Sequence, residues 1–183
     1  MNYLEHLEKH CGTFVSGYDI PYLLEDDVQI IELEEESSKI TSISTLGLHW
    51  HALQFENGST AHQELLFRFN QQHAKEEFVE LMWQLTDYAL GTHQAFELGE
   101  LYELPEEVLE QYSFSSVYVT APFYSDESFI TYENEEQSVL VVWFVPIYPS
   151  EELFIEEHGT ERFDELLYET DRELFDLNRK ELV

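Results

Sequence analysis

The residues best equipped for chemistry are eight histidines and a single cysteine. Imidazole and thiolate are common zinc ligands, and spacing decides whether two of them can meet one ion. His49 and His51 stand two apart in a stretch with strand character, which puts both on one face, with Glu64 opposite on a neighbouring strand. His6 and His10 stand four apart in a helical stretch, again on one face, with Cys11 adjacent. Each pair supplies only two ligands. The sequence contains neither HExxH nor CxxC, and no third ligand stands at a telling distance. The pairs therefore read as packed or exposed histidines, no metal or cofactor is expected, and a metal-dependent enzyme is the weakest of three functional readings.

Nucleophilic and acid–base chemistry fare no better. There is no GxSxG, and Cys11 falls in a terminal helix as a plain thiol. With 31 glutamates, chance pairs of carboxylates are unavoidable and carry no information about a catalytic dyad. The seven glycines form no phosphate-binding loop. The chain is read as a protein without catalytic activity.

The elements that must position these residues follow from periodicity. Tyr3 to His10 reads as a short amphipathic helix stopped by Gly12, and Asp27 to Leu33 as a strand. Glu34-Glu35-Glu36-Ser37-Ser38 has the composition of an exposed turn. Ile40 to Ala52 reads as one strand, with Leu46, Leu48 and Trp50 on one face and Thr45, Gly47, His49 and His51 on the other. In Gln63 to Phe69, Leu65, Phe67 and Phe69 face one way and Glu64 and Arg68 the other. Glu56-Asn57-Gly58-Ser59 between these segments is a hairpin turn.

Glu76 to Leu90 is the clearest helix, because Phe78, Leu81, Met82, Leu85 and Ala89 form one stripe. Glu76 and Glu77 suit its positive end, and Gly91 its exit. Ser116 to Ala121 is a short strand ended by Pro122. Val139 to Val145, almost wholly apolar, suits a strand covered on both faces. Ser150 is placed to cap a helix that stops at Gly159, and Thr160 to cap another reaching about Thr170. The fold class is α+β: one domain over residues 1–183, with a mixed β-sheet flanked by helices.

Composition supports a folded core. The 183 residues are 43% hydrophobic and include 13 Phe, 11 Tyr and 3 Trp. A chain of this length buries about 70% of its unfolded surface. The longest apolar run, Val139 to Ile147, is well short of the ~20 residues that span a bilayer. The first ten residues lack the apolar segment of a signal peptide, and a lone cysteine cannot form an internal disulfide, so a cytoplasmic location is expected.

Charge is the outlier. Against 39 Asp+Glu stand 8 Lys+Arg, for a formal net charge of -31. Such a surface repels nucleic acid and anionic lipid, and attracts basic partners. The excess is concentrated: residues 21–36 carry seven acids and no base, and residues 97–183 are at net -19. Three accounts compete: a solvated surface, salt adaptation, and recognition of a cationic protein. Glu outnumbers Asp 31 to 8 and large aromatics are plentiful, which counts against salt adaptation.

An ordered set of short motifs resembles the suppressor of fused domain family. Ile43-Ser44-Thr45-Leu46-Gly47-Leu48 followed by Glu64-Leu65-Leu66 is similar to the family's "STLGL" and "ELL" strands. Leu98-Gly99-Glu100 precedes a short strand with a proline near its end, as the family pattern requires. Val142-Trp143-Phe144-Val145-Pro146-Ile147, then Glu151-Glu152-Leu153 and Gly159, resembles its C-terminal signature. The resemblance runs over roughly residues 40–170. It implies a protein-binding scaffold, with no catalytic residues to carry over and contact positions too variable to transfer. The length resembles the bacterial single-domain type, which implies an immunity protein or antitoxin.

A basic partner would be steered by carboxylates and held by aromatic anchors. The stretch that interleaves the two is Phe123, Tyr124, Asp126, Glu127, Phe129, Tyr132, Glu133, Glu135 and Glu136. Its alternative is a hairpin with aromatics packed inward and acids solvated. The turn Glu34, Glu35 and Glu36 is a second candidate. The leading reading is an immunity protein that neutralises a basic toxin, possible classes of which include nucleases; the second is a scaffold that clamps an extended peptide of an endogenous partner.

Overall fold

The apolar run from Val139 becomes β9 (Ser138–Ile147), and its alternation builds two cores at once. Val142 and Phe144 enter one hydrophobic cluster, while Val141, Trp143, Val145 and Ile147 enter another on the opposite face. A strand apolar on both sides requires a cover on both sides. The computed structural model, which describes residues 2–19, 28–73, 75–106, 111–134 and 137–183, supplies both covers.

The described strands are β1 (Thr13–Asp19), β2 (Gln29–Glu35), β3 (Ile40–Leu46), β4 (Leu53–Gln54), β5 (Thr60–Asn70), β6 (Leu101–Glu103), β7 (Ser116–Thr120), β8 (Thr131–Glu133) and β9. Seven of them run in the order β1-β2-β3-β5-β9-β7-β6, with β4 paired to β5 and β8 paired to β9. Among the described strand pairs only β5–β9 is parallel, so the sheet is mixed. One face is covered by α2 (Glu76–Thr92), whose Phe78, Leu81, Met82, Leu85 and Ala89 are all buried. The other is covered by α1 (Tyr3–Cys11), α3 (Glu127–Ile130), α4 (Pro149–His158) and α5 (Thr160–Thr170), followed by a 3-10 turn at Asp171–Phe175.

Several local expectations are corrected. The strand expected over Ile40 to Ala52 stops at Leu46, because Gly47 takes φ 106 and turns the chain into a 3-10 turn at Leu48–Trp50. His49 and His51 therefore do not share a strand face. Helix α2 runs through Gly91 and ends at His93, which takes the left-handed conformation while its carbonyl accepts the Gln54 N–H at 2.9 Å. Ser150 is not a cap: Tyr148 precedes the helix, Pro149 opens it, and Glu151 reaches back to accept the Tyr148 N–H at 2.9 Å. Glu64 and Arg68 do not face water, since α1 and the C-terminal elements cover their side of β5.

The hairpin at 56–59 joins β4 to β5 as expected, with Gly58 at positive φ. Helix α1 is pinned to the sheet at its end. Gly12 has φ 95, and a Cβ there would collide with the Glu34 backbone.

Candidate functional site

The motif residues turn out to bind one another. Glu64, fully buried on β5, accepts hydrogen bonds from the Gly47 N–H at 2.8 Å and the His49 N–H at 3.2 Å. The Thr45 hydroxyl donates to its other oxygen, and His49 Nδ1 lies against the carboxylate. Thr45 Oγ1 in turn accepts the Leu65 N–H at 2.8 Å. One carboxylate thus ties the strand end, the glycine turn and the 3-10 turn together. His49 is consumed in this cluster, and His62 Nδ1 is held by the His49 carbonyl at 2.7 Å. No group of three or more His, Cys, Asp or Glu among the described residues is arranged to hold a metal ion.

Above the Glu64 cluster the surface opens into a groove of about 370 Å³. Tyr3 and Leu4 come from α1, Leu46, His49 and Trp50 from the end of β3 and the turn after it, and Tyr132 and Asn134 from β8 and its exit. The Trp50 side chain is 60% exposed although its neighbour His49 is buried. The turn forced by Gly47 sends Leu48 and His49 inward and leaves Trp50 outside. At the floor Tyr3 meets His49 at a tilt and Tyr132 edge-on, with ring centroids 5.4 and 5.5 Å away. An exposed indole on a rigid, hydrogen-bonded turn is the kind of anchor that dominates protein interfaces.

At the other end of α1 the two acidic stretches meet. Glu35 accepts from Arg68 NH2 at 3.2 Å, and the Arg68 guanidinium lies over the Tyr124 ring at 4.9 Å and the Phe175 ring at 5.2 Å. Between the two ends, His10 stacks on Phe129 with centroids 4.8 Å apart, and His6 Nε2 is 3.3 Å from the Phe129 carbonyl. Burial is the main cause that lowers the pKa of both imidazoles, with Lys9 pushing the same way.

Sequence candidates are thereby separated. Phe129 is wholly buried and Tyr132 nearly so, while Phe123 and Tyr124 are half-buried against the same core. Asp126, Glu127 and Glu133 are exposed. Glu135 and Glu136 lie outside the described residues. Glu34 and Glu35 are half-buried in β2 rather than in a turn; Glu36 is exposed and pairs with Lys39 at 2.8 Å.

Sequence reasoning missed Trp50, because a straight strand would have placed it beside Leu46 and Leu48. It also missed three buried or part-buried ion pairs that hold the fold. Lys75 meets both oxygens of Glu32 at 2.6 and 2.7 Å, Arg179 meets both oxygens of Glu151 at 2.6 and 2.7 Å, and Arg68 meets Glu35. The available signal was the position of Arg68 between Phe67 and Phe69. A charge inside an aromatic run on a two-faced strand demands a partner.

Fold and site together define a class: a layered α+β scaffold whose buried carboxylates serve its architecture and whose surface carries an aromatic groove. A family model for suppressor of fused protein (SUFU) matches residues 25–180. The chain belongs to the suppressor of fused family. Among solved structures, it is similar to a protein from Neisseria gonorrhoeae described as a suppressor of fused homologue, with 20% identity and a TM-score of 0.75 over 98% of this chain and 94% of that one. It is also similar to a structure of the Sufu–Fu complex, at 12% identity and a TM-score of 0.66 over 98% of this chain and 90% of that one. Drosophila Suppressor of Fused matches at 12% identity and a TM-score of 0.58, over 85% of this chain and 42% of that one. Comparison with curated proteins finds no match. No helix among the described residues is long and apolar enough to cross a membrane.

Proposed function

We propose that this chain is a non-catalytic, cytoplasmic immunity protein or antitoxin that binds and neutralises a basic toxin domain. One observation carries the reading: most of the few bases are already paired within the chain. Of 8 Lys+Arg, five pair with carboxylates among the described residues, namely Lys39–Glu36, Arg68–Glu35, Lys75–Glu32, Arg162–Glu165 and Arg179–Glu151. Most of the remaining described carboxylates face solvent and set up an anionic field that a cationic partner would follow, raising association rates by ~10–10³-fold. The Trp50 groove supplies the apolar anchor that exposed ion pairs, each worth little, do not. The exposed Asp126, Glu127 and Glu133 of the 123–136 stretch, with Glu36 of the second, form the acidic contacts in this reading. A nuclease domain suits it, because its phosphate-binding face is cationic.

The test is co-expression with a basic toxin domain encoded beside the gene. Restored growth, a complex on gel filtration and an affinity that falls steeply with salt are expected. No rescue and no complex would overturn the reading.

A second reading, a regulatory scaffold that clamps an extended peptide, draws on two observations. A similar fold occurs in the Sufu–Fu complex, and β1 closes one end of the described sheet with Phe14 41% and Val15 48% exposed. Strand addition is carried by main-chain hydrogen bonds, so affinity would change little with salt.

A further inference from the structure

Arg68 sits in an unusual position for this chain. Only 5% exposed, it carries a permanent charge into the interior of a protein whose basic residues are few. Its compensation is incomplete: one carboxylate contact at 3.2 Å and two aromatic faces. Arg68 Nε, His10 Nε2 and Tyr124 Oη are all buried without a hydrogen-bond partner among the described residues. All three residues line the same pocket of about 140 Å³, together with Glu35, Ser125 and Phe175. Buried polar groups are nearly always satisfied, so three orphans on one small pocket point to a missing acceptor. At about 30 Å³ per water, the space suits a group of a few heavy atoms.

We propose that this pocket is a binding site for a carboxylate, received by Arg68 Nε and His10 Nε2. A guanidinium cannot shed its proton, and a carboxylate has two oxygens, one to accept from Arg68 Nε and one from His10 Nε2. Tyr124 and Phe175 hold the fork in place, so little is lost in ordering it. The net charge of the exterior opposes any anion, but it is screened over about 8 Å at physiological ionic strength, while the guanidinium lines the pocket itself. Glu35 shares the same cation and competes.

The groups around His10 set the pH dependence. Burial, His6, Lys9 and Arg68 all disfavour the imidazolium, and Asp126 favours it. Glu35 lines the pocket from β2. A bound carboxylate adds a negative charge beside His10, so binding draws a proton onto the ring. Linkage then makes binding tighter at lower pH.

The full chain is titrated with sodium acetate at constant ionic strength held with sodium chloride, and the His10 ring resonances are followed by NMR. A saturable shift that strengthens as pH falls is expected, and Glu35→Gln should tighten binding several-fold by removing the competing carboxylate. Arg68→Lys, which keeps the charge and loses Nε, should abolish the shift; if that variant does not fold, the Glu35→Gln result decides. No saturable shift up to about 100 mM acetate in either the native or the Glu35→Gln protein overturns the proposal. A short uncharged peptide with a free C-terminus, run beside its amidated form, identifies the source. Competition by the free form alone supports a protein carboxylate. Competition by neither supports a free small acid, and equal competition by both overturns carboxylate recognition.

Discussion

Arg179 grips Glu151 through both guanidinium nitrogens, at 2.6 and 2.7 Å, with both side chains buried. The same carboxylate accepts the Tyr148 N–H and the Leu182 N–H, each at 2.9 Å, and Arg179 NH2 also donates to the Pro146 carbonyl at 3.0 Å. The guanidinium lies over Phe114 and Tyr148 as well. This one pair therefore fastens the C-terminal segment to the start of α4 and the end of β9. Removing one partner leaves the other charged and buried. Glu151→Ala should cost about 3–5 kcal/mol in urea denaturation. Arg179→Ala should cost a similar amount, and the double variant less than the sum of the two. Additive losses would show that the pair does not act as a unit.

Glu64 ties together another corner of the fold, between the turn after β3 and β5. Glu64→Ala leaves the Gly47 N–H without its acceptor and should lower stability by about 3–5 kcal/mol. Glu64→Gln keeps the shape but presents an amide donor to a site built of donors, for a smaller loss of about 1–3 kcal/mol. Equal stability of the glutamine variant and the native chain would show that the carboxylate's charge is not used.

Stability should fall as the solution is acidified from neutrality. His6 and His10 are held below their ordinary 6.5 in the folded state, chiefly by burial, so the unfolded chain binds protons first. Their contribution is complete above 6.5 and is lost as pH falls through their folded values. Burial works to raise Glu32, but Lys75, Tyr18 and Ser16 outweigh it and hold it below its ordinary 4.5. Its contribution is present above 4.5 and is lost in a second, more acidic step. Denaturation midpoints between about pH 7 and about pH 2 read both steps. A midpoint unchanged over the upper part of that range would contradict the histidine burial.

Cys11 should be silent toward thiol reagents. It is fully buried, and desolvation pushes its pKa up to about 11, so thiolate is scarce at neutral pH. Disulfide-exchange titration should count no reactive thiol in the native chain and one after denaturation. Rapid native labelling would show that α1 opens from the sheet.

Trp50 separates binding from folding. Being 60% exposed, it should tolerate alanine with a change in stability of no more than about 0.5 kcal/mol. If the groove anchors the partner, Trp50→Ala weakens the complex by about 2 kcal/mol, a loss of roughly 30-fold, read by calorimetry against the basic partner. An unchanged affinity would move the interface elsewhere.

The family motifs were legible in the sequence, but their meaning was not. Glu64 lies 19 residues from Thr45 and 17 from Gly47, so only β-pairing brings it to them, and Glu151 meets Arg179 across 28 residues. Local pattern likewise showed the aromatic and acidic interleaving of 123–136, yet gave Phe129 and Glu127 the same standing. Whether an aromatic faces a partner or the core depends on what packs over it, and Phe129 lies beneath His6 and His10 of α1.

Periodicity alone was enough to determine the α2 stripe, the two-faced β9, the hairpin at 56–59 and the α+β class, because each depends on side chains within one segment. The charge imbalance was likewise a matter of counting. Tertiary structure decided where β3 stops, which cations are spent inside, that Arg68 is buried and that Trp50 is not. Those outcomes rest on a left-handed glycine and on elements distant in sequence closing over one sheet. Burial is a property of the neighbours a residue acquires, and those neighbours come from elsewhere in the chain.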